Sequence, residues 1–204
     1  MVCMMNNASA RASFTMSSNV PKPILPIELQ TDRLLLRPMR EDDIEMTVAS
    51  LGDLEISRRL ARIPHPYTEA DAHWWLEETR RGRASGTVEH FMIELRASGA
   101  PIGAIGLHQD AAGERAEVGY WLAKAHWNHG YAREALAMVI RYAFFERVPV
   151  ITTLEAKAHE SNPASIRVLE ACGFLDVGSV ECTSLATSGN IPARQFELRR
   201  EVST

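Results

Sequence analysis

One stretch of this chain constrains its fold more than any other, because the hydrophobic period changes within it. Over residues 115–123 the side chains alternate. Ala116, Val118, Tyr120 and Leu122 share one face, while Glu117, Gly119, Trp121 and Ala123 share the other. That is the two-residue repeat of a strand. Over residues 132–145 the repeat becomes helical, with Leu136, Val139, Ile140, Ala143 and Phe144 on one stripe. Only a short segment around Gly130 separates the two. The helix must therefore start close to the end of the strand, and its first amides have no acceptor inside the helix.

The elements on either side follow from local signals. Residues 34–37 form a short apolar strand stopped by Pro38. Glu41, Asp42 and Asp43 open a helix carrying Ile44, Val48 and Leu51, with acidic groups at the positive end of its dipole. A second short helix is expected over 54–60, and Pro64-His65-Pro66 enforces extended chain. Thr68 and Asp71 resemble a capping box, opening a helix with Trp74, Trp75 and Leu76 that is expected to fade near Gly82. Strands at 90–95, 102–108 and 115–123, with turns at Ser98-Gly99 and Ala111-Ala112-Gly113, make an antiparallel meander.

After the amphipathic helix comes a strand at 151–156. Asn162 and Pro163 then begin a helix as N-cap and first helical residue, and Gly173 ends it. Two closing strands are expected at 174–180 and 194–198. The fold class is mixed α/β, a mostly antiparallel sheet flanked by helices. Residues 1–26, rich in Ser and Asn and without a period, are expected to be a disordered tail, and 27–204 the folded domain.

Composition narrows the function classes. A net charge of −4 gives no general attraction to nucleic acid or to an anionic membrane. Cys3, Cys172 and Cys182 include no CxxC pair, so neither a disulfide framework nor a zinc ribbon is suggested. Cys172 reads as a small buried hydrophobe. His126, His129 and His159 lack the spacing of a metal-ligating helix such as HExxH, so no metal is expected. No apolar run reaches the ~18 residues of a membrane span. The N-terminus lacks the apolar core of a secretory signal, and the cytoplasm is the default compartment. Arg141 and Arg147 read as a solvated helix face.

The segment Trp127-Asn128-His129-Gly130-Tyr131-Ala132 carries the chemistry. Small residues allow close approach, and exposed amides at a helix start favour an anion such as a diphosphate. An ordinary strand-to-helix turn would show the same residues. The GxxxxGK[ST] pattern is absent, which disfavours a P-loop nucleotide site.

Taken in order, TDRLLLRPMREDDIE (31–45), PIGAIGL (101–107), AEVGYWLAKAHWNHGYAREAL (116–136) and NPASIRVLEACGF (162–174) resemble the GNAT acetyltransferase superfamily. Within it they are similar to the branch that acetylates ribosomal-protein N-termini. The resemblance covers roughly residues 29–199. It implies a sheet with splayed central strands, acetyl-CoA as cosubstrate, and direct transfer to an amine without a covalent cysteine. It places the diphosphate on Asn128, His129, Gly130, Tyr131, Ala132 and Arg133. It places the pantetheine arm along Tyr120, Trp121 and Leu122, where a backbone N–H would polarise the thioester carbonyl, and against Asn162. Two positions depart from the pattern. Trp127 replaces the usual Gln or Arg, and Leu169 replaces the tyrosine that commonly protonates the leaving thiolate. Ser165, one turn after Asn162, is the candidate substitute.

The acceptor must attack as a neutral amine. An α-amine, with a pKa of ~7.7–8.0, needs far less help at neutral pH than a lysine at ~10.4. Glu117 is the first candidate base, with a surface carboxylate paired to Arg115 as the competing reading. His108 and His90 are rivals, or else surface histidines at strand ends. Of Trp74 and Trp75, one is expected in the core and the other beside the acceptor. Expected partners are an amine substrate, either a protein N-terminus or a small molecule, with no nucleic acid and no membrane. A homodimer remains one option. The alternative function is a non-catalytic acyl-CoA-binding regulatory module, which Leu169 permits. Loops 56–83 and 184–192 carry no readable acceptor code.

Overall fold

The computed structural model describes residues 27–147 and 150–201; the expected N-terminal tail, with Cys3, lies outside them. In chain order the elements are β1 (Leu29–Gln30), β2 (Leu34–Arg37), α1 (Ile44–Leu51), α2 (Leu54–Ser57), α3 (Glu69–Ser85), β3 (Val88–Leu95), β4 (Pro101–Gln109), β5 (Arg115–Leu122), α4 (Tyr131–Arg141), β6 (Thr153–His159), α5 (Pro163–Ala171), β7 (Leu175–Ser184) and β8 (Gly189–Arg199). The strands make one sheet in the order β1-β2-β3-β4-β5-β6-β8-β7. Every neighbouring pair is antiparallel except β5 and β6.

The alternation read from β5 divides the core in two. Val118, Tyr120 and Leu122 face a cluster built with Leu136 and Val139 of α4, Leu169 of α5 and Phe196 of β8. Trp121 faces the other side, with Met92 and Ala104, beneath Ile44, Leu51, Ile56 and Leu76 from α1, α2 and α3. Burial on both sides explains why the central strands stay apolar on each face.

Some boundaries move. The capping box is present, Thr68 Oγ accepting from the Asp71 amide at 3.3 Å and Asp71 Oδ2 from the Thr68 amide at 2.8 Å. But α3 runs past Gly82 to Ser85 and ends at Gly86, whose φ of 71° suits glycine. A Cβ on Gly82 would come within 2.7 Å of the Val88 Cβ, so this glycine lets α3 pass close to β3 rather than ending the helix. The helical stripe of α4 ends in a π turn over Tyr142–Glu146. Arg147 is not on a solvated face. It is 5% exposed and ion-paired to Glu89 at 2.6 Å.

The feature that positions the site is a split in the sheet. β5 and β6 pair only at Arg115↔Thr153, Ala116↔Leu154 and Glu117↔Glu155. Beyond that, β5 continues along β4 to Leu122 while β6 continues along β8 to His159. The two central strands diverge, and the start of α4 and the start of α5 flank the gap.

Candidate active site

The register decides which backbone groups face the gap. On the β4 side, the Ala123 amide donates to Ile102 O at 2.9 Å and Arg115 O accepts from the Asp110 amide at 2.9 Å. In an antiparallel ladder such residues alternate. Glu117, Gly119 and Trp121 therefore bond to β4, and the amides and carbonyls of Val118, Tyr120 and Leu122 point into the gap. This corrects the expectation for Trp121. Its backbone belongs to the β4 ladder and its ring to the α1–α3 core. Tyr120 and Leu122 supply the free edge.

A cleft of about 280 Å³ opens there, lined by Tyr120 and Leu122, by the loop into α4, by the start of α5 and by Arg59. In that loop Asn128 (φ 62°) and Gly130 (φ 80°) both take the left-handed conformation, for which asparagine and glycine are suited. Gly130 is the N-cap of α4 and brings no side-chain acceptor. The first amide of the helix with a described partner is that of Glu134, bonded to Gly130 O at 3.1 Å. Among the described residues, the amides from Asn128 to Arg133 find no acceptor, and they sit at the positive end of the α4 dipole.

Trp127 shapes the loop from inside. Its indole donates to Leu122 O at 2.8 Å, using one of the gap-facing carbonyls, and the Arg59 guanidinium lies 5.3 Å from the ring centroid. The His129 ring stacks on Tyr131 at 5.6 Å and its carbonyl accepts from Arg33 Nη1 at 3.0 Å; contrary to expectation, His129 is not among the residues that line the cleft. Arg133 lines the outer part of the cleft and is exposed.

On the α5 side, Asn162 caps the helix. Its Oδ1 accepts from the Ser165 amide at 3.4 Å, and the residue is 2% exposed. The Ser165 hydroxyl lies 3.0 Å from the Tyr120 hydroxyl, and both residues are buried. Burial pushes the Tyr120 phenol well above its ordinary range, outweighing the bond to Ser165, so this phenol is neutral. The sequence alone marks Tyr120 as strand edge and not as a partner of Ser165. Its position on the same face as Leu122, toward α5, was the signal that its side chain meets Ser165. Leu169 is fully buried in the core.

Glu117 does not line this cleft. It lies on the α1–α3 face, half-buried, with Lys157 Nζ at 2.8 Å. The expected alternative partner, Arg115, instead engages Glu155 and Glu197. Opposite Glu117 in register stands His108, whose ring meets that of His90 edge-on at 4.8 Å; His90 in turn meets Trp75 at 5.6 Å. These histidines are half-buried, not at the surface. Burial, and then the charges of Arg62 and Arg83, push His90 down to about 3. Burial, then His90 and Arg62, push His108 down to about 2. Trp75 packs in the core and Trp74 is 63% exposed. Cys172 is half-buried, and burial pushes its thiol up, which makes it a poor nucleophile. Among the described residues no cluster of three His, Cys, Asp or Glu could hold a metal. No helix among them is long and apolar enough to cross a membrane.

The family model described as an acetyltransferase (GNAT) domain matches residues 33–175. The chain belongs to the GNAT acetyltransferase family. As a member it is a GNAT-type acyltransferase. The uncharacterized N-acetyltransferase YoaA of Bacillus subtilis is 31% identical over 156 residues, 74% of this chain and 84% of that protein. The uncharacterized N-acetyltransferase p20 of Bacillus licheniformis is 28% identical over 172 residues, 83% and 94% of the two chains. Among solved structures, the ribosomal-protein α-N-acetyltransferase RimL in complex with coenzyme A superimposes with a TM-score of 0.74. It is 15% identical, with 85% of this chain and 98% of that one covered. At that identity the likeness is one of GNAT fold, and it extends to the mostly antiparallel sheet and its flanking helices.

Proposed function

We propose that this GNAT protein transfers the acetyl group of acetyl-CoA directly to a primary amine, with an α-amine as acceptor. One observation carries the reading: a row of loop amides, from Asn128 to Arg133, with no acceptor among the described residues stands at the mouth of a gap between two diverging strands. The amides and the α4 dipole suit a diphosphate, and the free edge of Tyr120 and Leu122 suits an amide-bearing arm that pairs like a strand. One cleft joins the α4 loop, the Tyr120–Leu122 edge and the start of α5 in its lining, which suits that pair of groups. The name of RimL, an α-N-acetyltransferase of a ribosomal protein, supports the same class of acceptor.

Acetyl-CoA supplies a thioester, and the reaction joins the amine nitrogen to its carbonyl carbon and breaks the C–S bond. One proton leaves the nitrogen and one reaches the sulfur. The gap-facing N–H groups of Tyr120 and Leu122 are the donors available to the carbonyl oxygen. Asn162 orients the arm, and Ser165 donates its hydroxyl to the departing sulfur. Tyr120, bonded to Ser165, fixes the direction of that hydroxyl.

The other face bears on the acceptor. Glu117 is held by Lys157, and His90 and His108 are neutral but deeply depressed, so each is a weak base. A weak base serves an α-amine, about a tenth of which is already neutral at pH 7, far better than a lysine side chain.

Thiol release from acetyl-CoA, measured against peptides with a free α-amine and N-blocked peptides carrying only lysine, tests the reading. Release with the first and not the second is expected. Coenzyme A binding without release for any amine would overturn it in favour of a binding module. Ser165→Ala is expected to lower kcat on the order of tenfold, below the ~10²–10⁴ of a full general acid, with Tyr120→Phe smaller. Full turnover by Ser165→Ala at saturating acetyl-CoA would remove Ser165 from the chemistry.

A further inference from the structure

The turn between β1 and β2 lies far from the cleft in sequence but not in space. Glu134, in the first turn of α4, has both carboxylate oxygens claimed by that turn. Thr31 Oγ donates to Oε1 at 2.6 Å, and the Arg33 amide donates to the same oxygen at 3.0 Å. Arg33 Nε and Nη2 both reach Oε2 at 2.6 Å. The guanidinium does more. Its Nη1 donates to His129 O at 3.0 Å, and its plane lies 4.6 Å from the Tyr131 ring centroid, with His129 stacked on Tyr131. Nη2 would also sit 3.4 Å from a Cβ on Gly130. One side chain thus braces His129 and Tyr131, on either side of Gly130, and Glu134 in the first turn of α4.

Glu134 poses a problem that this brace answers. An acidic group in a first helical turn suits the dipole, yet an uncompensated carboxylate beside amides that receive a diphosphate would repel it. Burial opposes ionisation of Glu134, but the Thr31 hydroxyl and the amide and guanidinium of Arg33 outweigh it and hold the carboxyl below its usual range. The charge is present and needs its partner.

We propose that Arg33 is a positioning residue of the coenzyme site: it holds the Asn128–Tyr131 loop with its amides converged and neutralises Glu134 beside the diphosphate. This rests on the acetyl-CoA reading above. The ligand feature it serves is the diphosphate, not the thioester arm.

Titration calorimetry of coenzyme A against wild type, Arg33→Ala and Arg33→Lys, with steady-state rates on acetyl-CoA and on S-acetylpantetheine, tests it. S-acetylpantetheine carries the thioester but no diphosphate. Arg33→Ala is expected to weaken coenzyme A about tenfold or more and to raise KM for acetyl-CoA likewise, with kcat retained. Its KM for S-acetylpantetheine should match wild type. Arg33→Lys, which keeps the charge and loses the fork, is expected between the two. Coenzyme A affinity within twofold of wild type in Arg33→Ala would overturn the proposal. So would an equal loss with S-acetylpantetheine, which would make Arg33 a general structural staple. Failure of the wild-type protein to bind coenzyme A at all would instead overturn the acetyl-CoA reading.

Discussion

Arg33 and Arg37 stand four residues apart at the two ends of one short strand, and each forks onto carboxylates. Arg37 is 3% exposed. It holds Asp43, itself 1% exposed, through Nη1 at 2.7 Å and Nη2 at 2.8 Å, and it also reaches Glu94. The Asp43 pair, before the Glu94 one, holds the guanidinium charged far above any working pH despite its burial. Arg33 leaves about half its side chain in solvent and braces a loop that carries unused amides. The same chemistry therefore does two jobs. Sealed from water, it ties the entry to α1 onto the sheet. At the rim, it shapes a surface that a ligand completes.

The largest effect should separate the two arginines outright. Arg37→Ala strands a buried carboxylate, and breaking a buried pair from one side costs about 3–5 kcal/mol. Urea unfolding should show that loss, while any Arg37→Ala protein that remains folded binds coenzyme A as wild type does. A loss under about 1 kcal/mol would erase the distinction.

Acid should next attack the sealed side. His90 and His108 belong to the α1–α3 face that Arg37 anchors. Their folded pKa values, about 3 and about 2, lie below the ~6.5 of an unfolded histidine. The unfolded chain therefore binds more protons below pH 6.5, and stability is lost as pH falls from there. Each histidine contributes up to about 1.4 kcal/mol per pH unit, and stability is flat above 7 as far as these two groups are concerned. The carboxyl of Glu134 is also shifted down, but from a lower ordinary value, so the rim pair weakens only as pH drops below the ordinary carboxylate range near ~4.3. His108→Gln should flatten the slope between pH 6.5 and 5. An unchanged slope would mean that these rings are hydrated in solution.

The same contrast explains what could be read in the residues. The β5-to-α4 switch was legible because both repeats are long and both faces of β5 are buried. The Gly130 loop was legible because its residue types answer to local backbone geometry. Other features depend on distant partners. Gly82 looks like a helix end, but its lack of a side chain answers to Val88 on the neighbouring strand. The closing strands, Leu175–Ser184 and Gly189–Arg199, run longer than their local pattern suggests. β7 lies at the sheet edge, with Leu175 71% exposed, and so lacks a clean alternation. Glu117 and Lys157 are 40 residues apart, and Tyr120 and Ser165 are 45 apart, so no local pattern pairs them. Trp121 differs from expectation because the identity of a strand residue does not reveal which neighbour its amide serves; only the register does.

Gly130 sharpens the rim side with an intermediate effect. A branched residue there must adopt a φ of 80° and brings its Cβ toward Arg33, at a cost of about 1–2 kcal/mol for the left-handed conformation. Gly130→Val should weaken coenzyme A by about tenfold, since ~1.4 kcal/mol is one decade, with a comparable fall in unfolding free energy. Coenzyme A affinity equal to wild type would show that the loop amides are not the gripping groups.

The smallest expected effect is on stability at Arg33 itself. Its ion pair is half in solvent, and such pairs contribute about 0.2–1 kcal/mol to folding. Arg33→Ala should therefore unfold within 1 kcal/mol of wild type in urea, and raising the salt concentration should narrow even that gap by screening the exposed pair. The Arg37 pair, cut off from mobile ions, should show no such salt dependence. If instead Arg33→Ala loses several kcal/mol, both arginines are welds, and the weak coenzyme binding of that variant would follow from a loosened fold, not from a loop left without its brace.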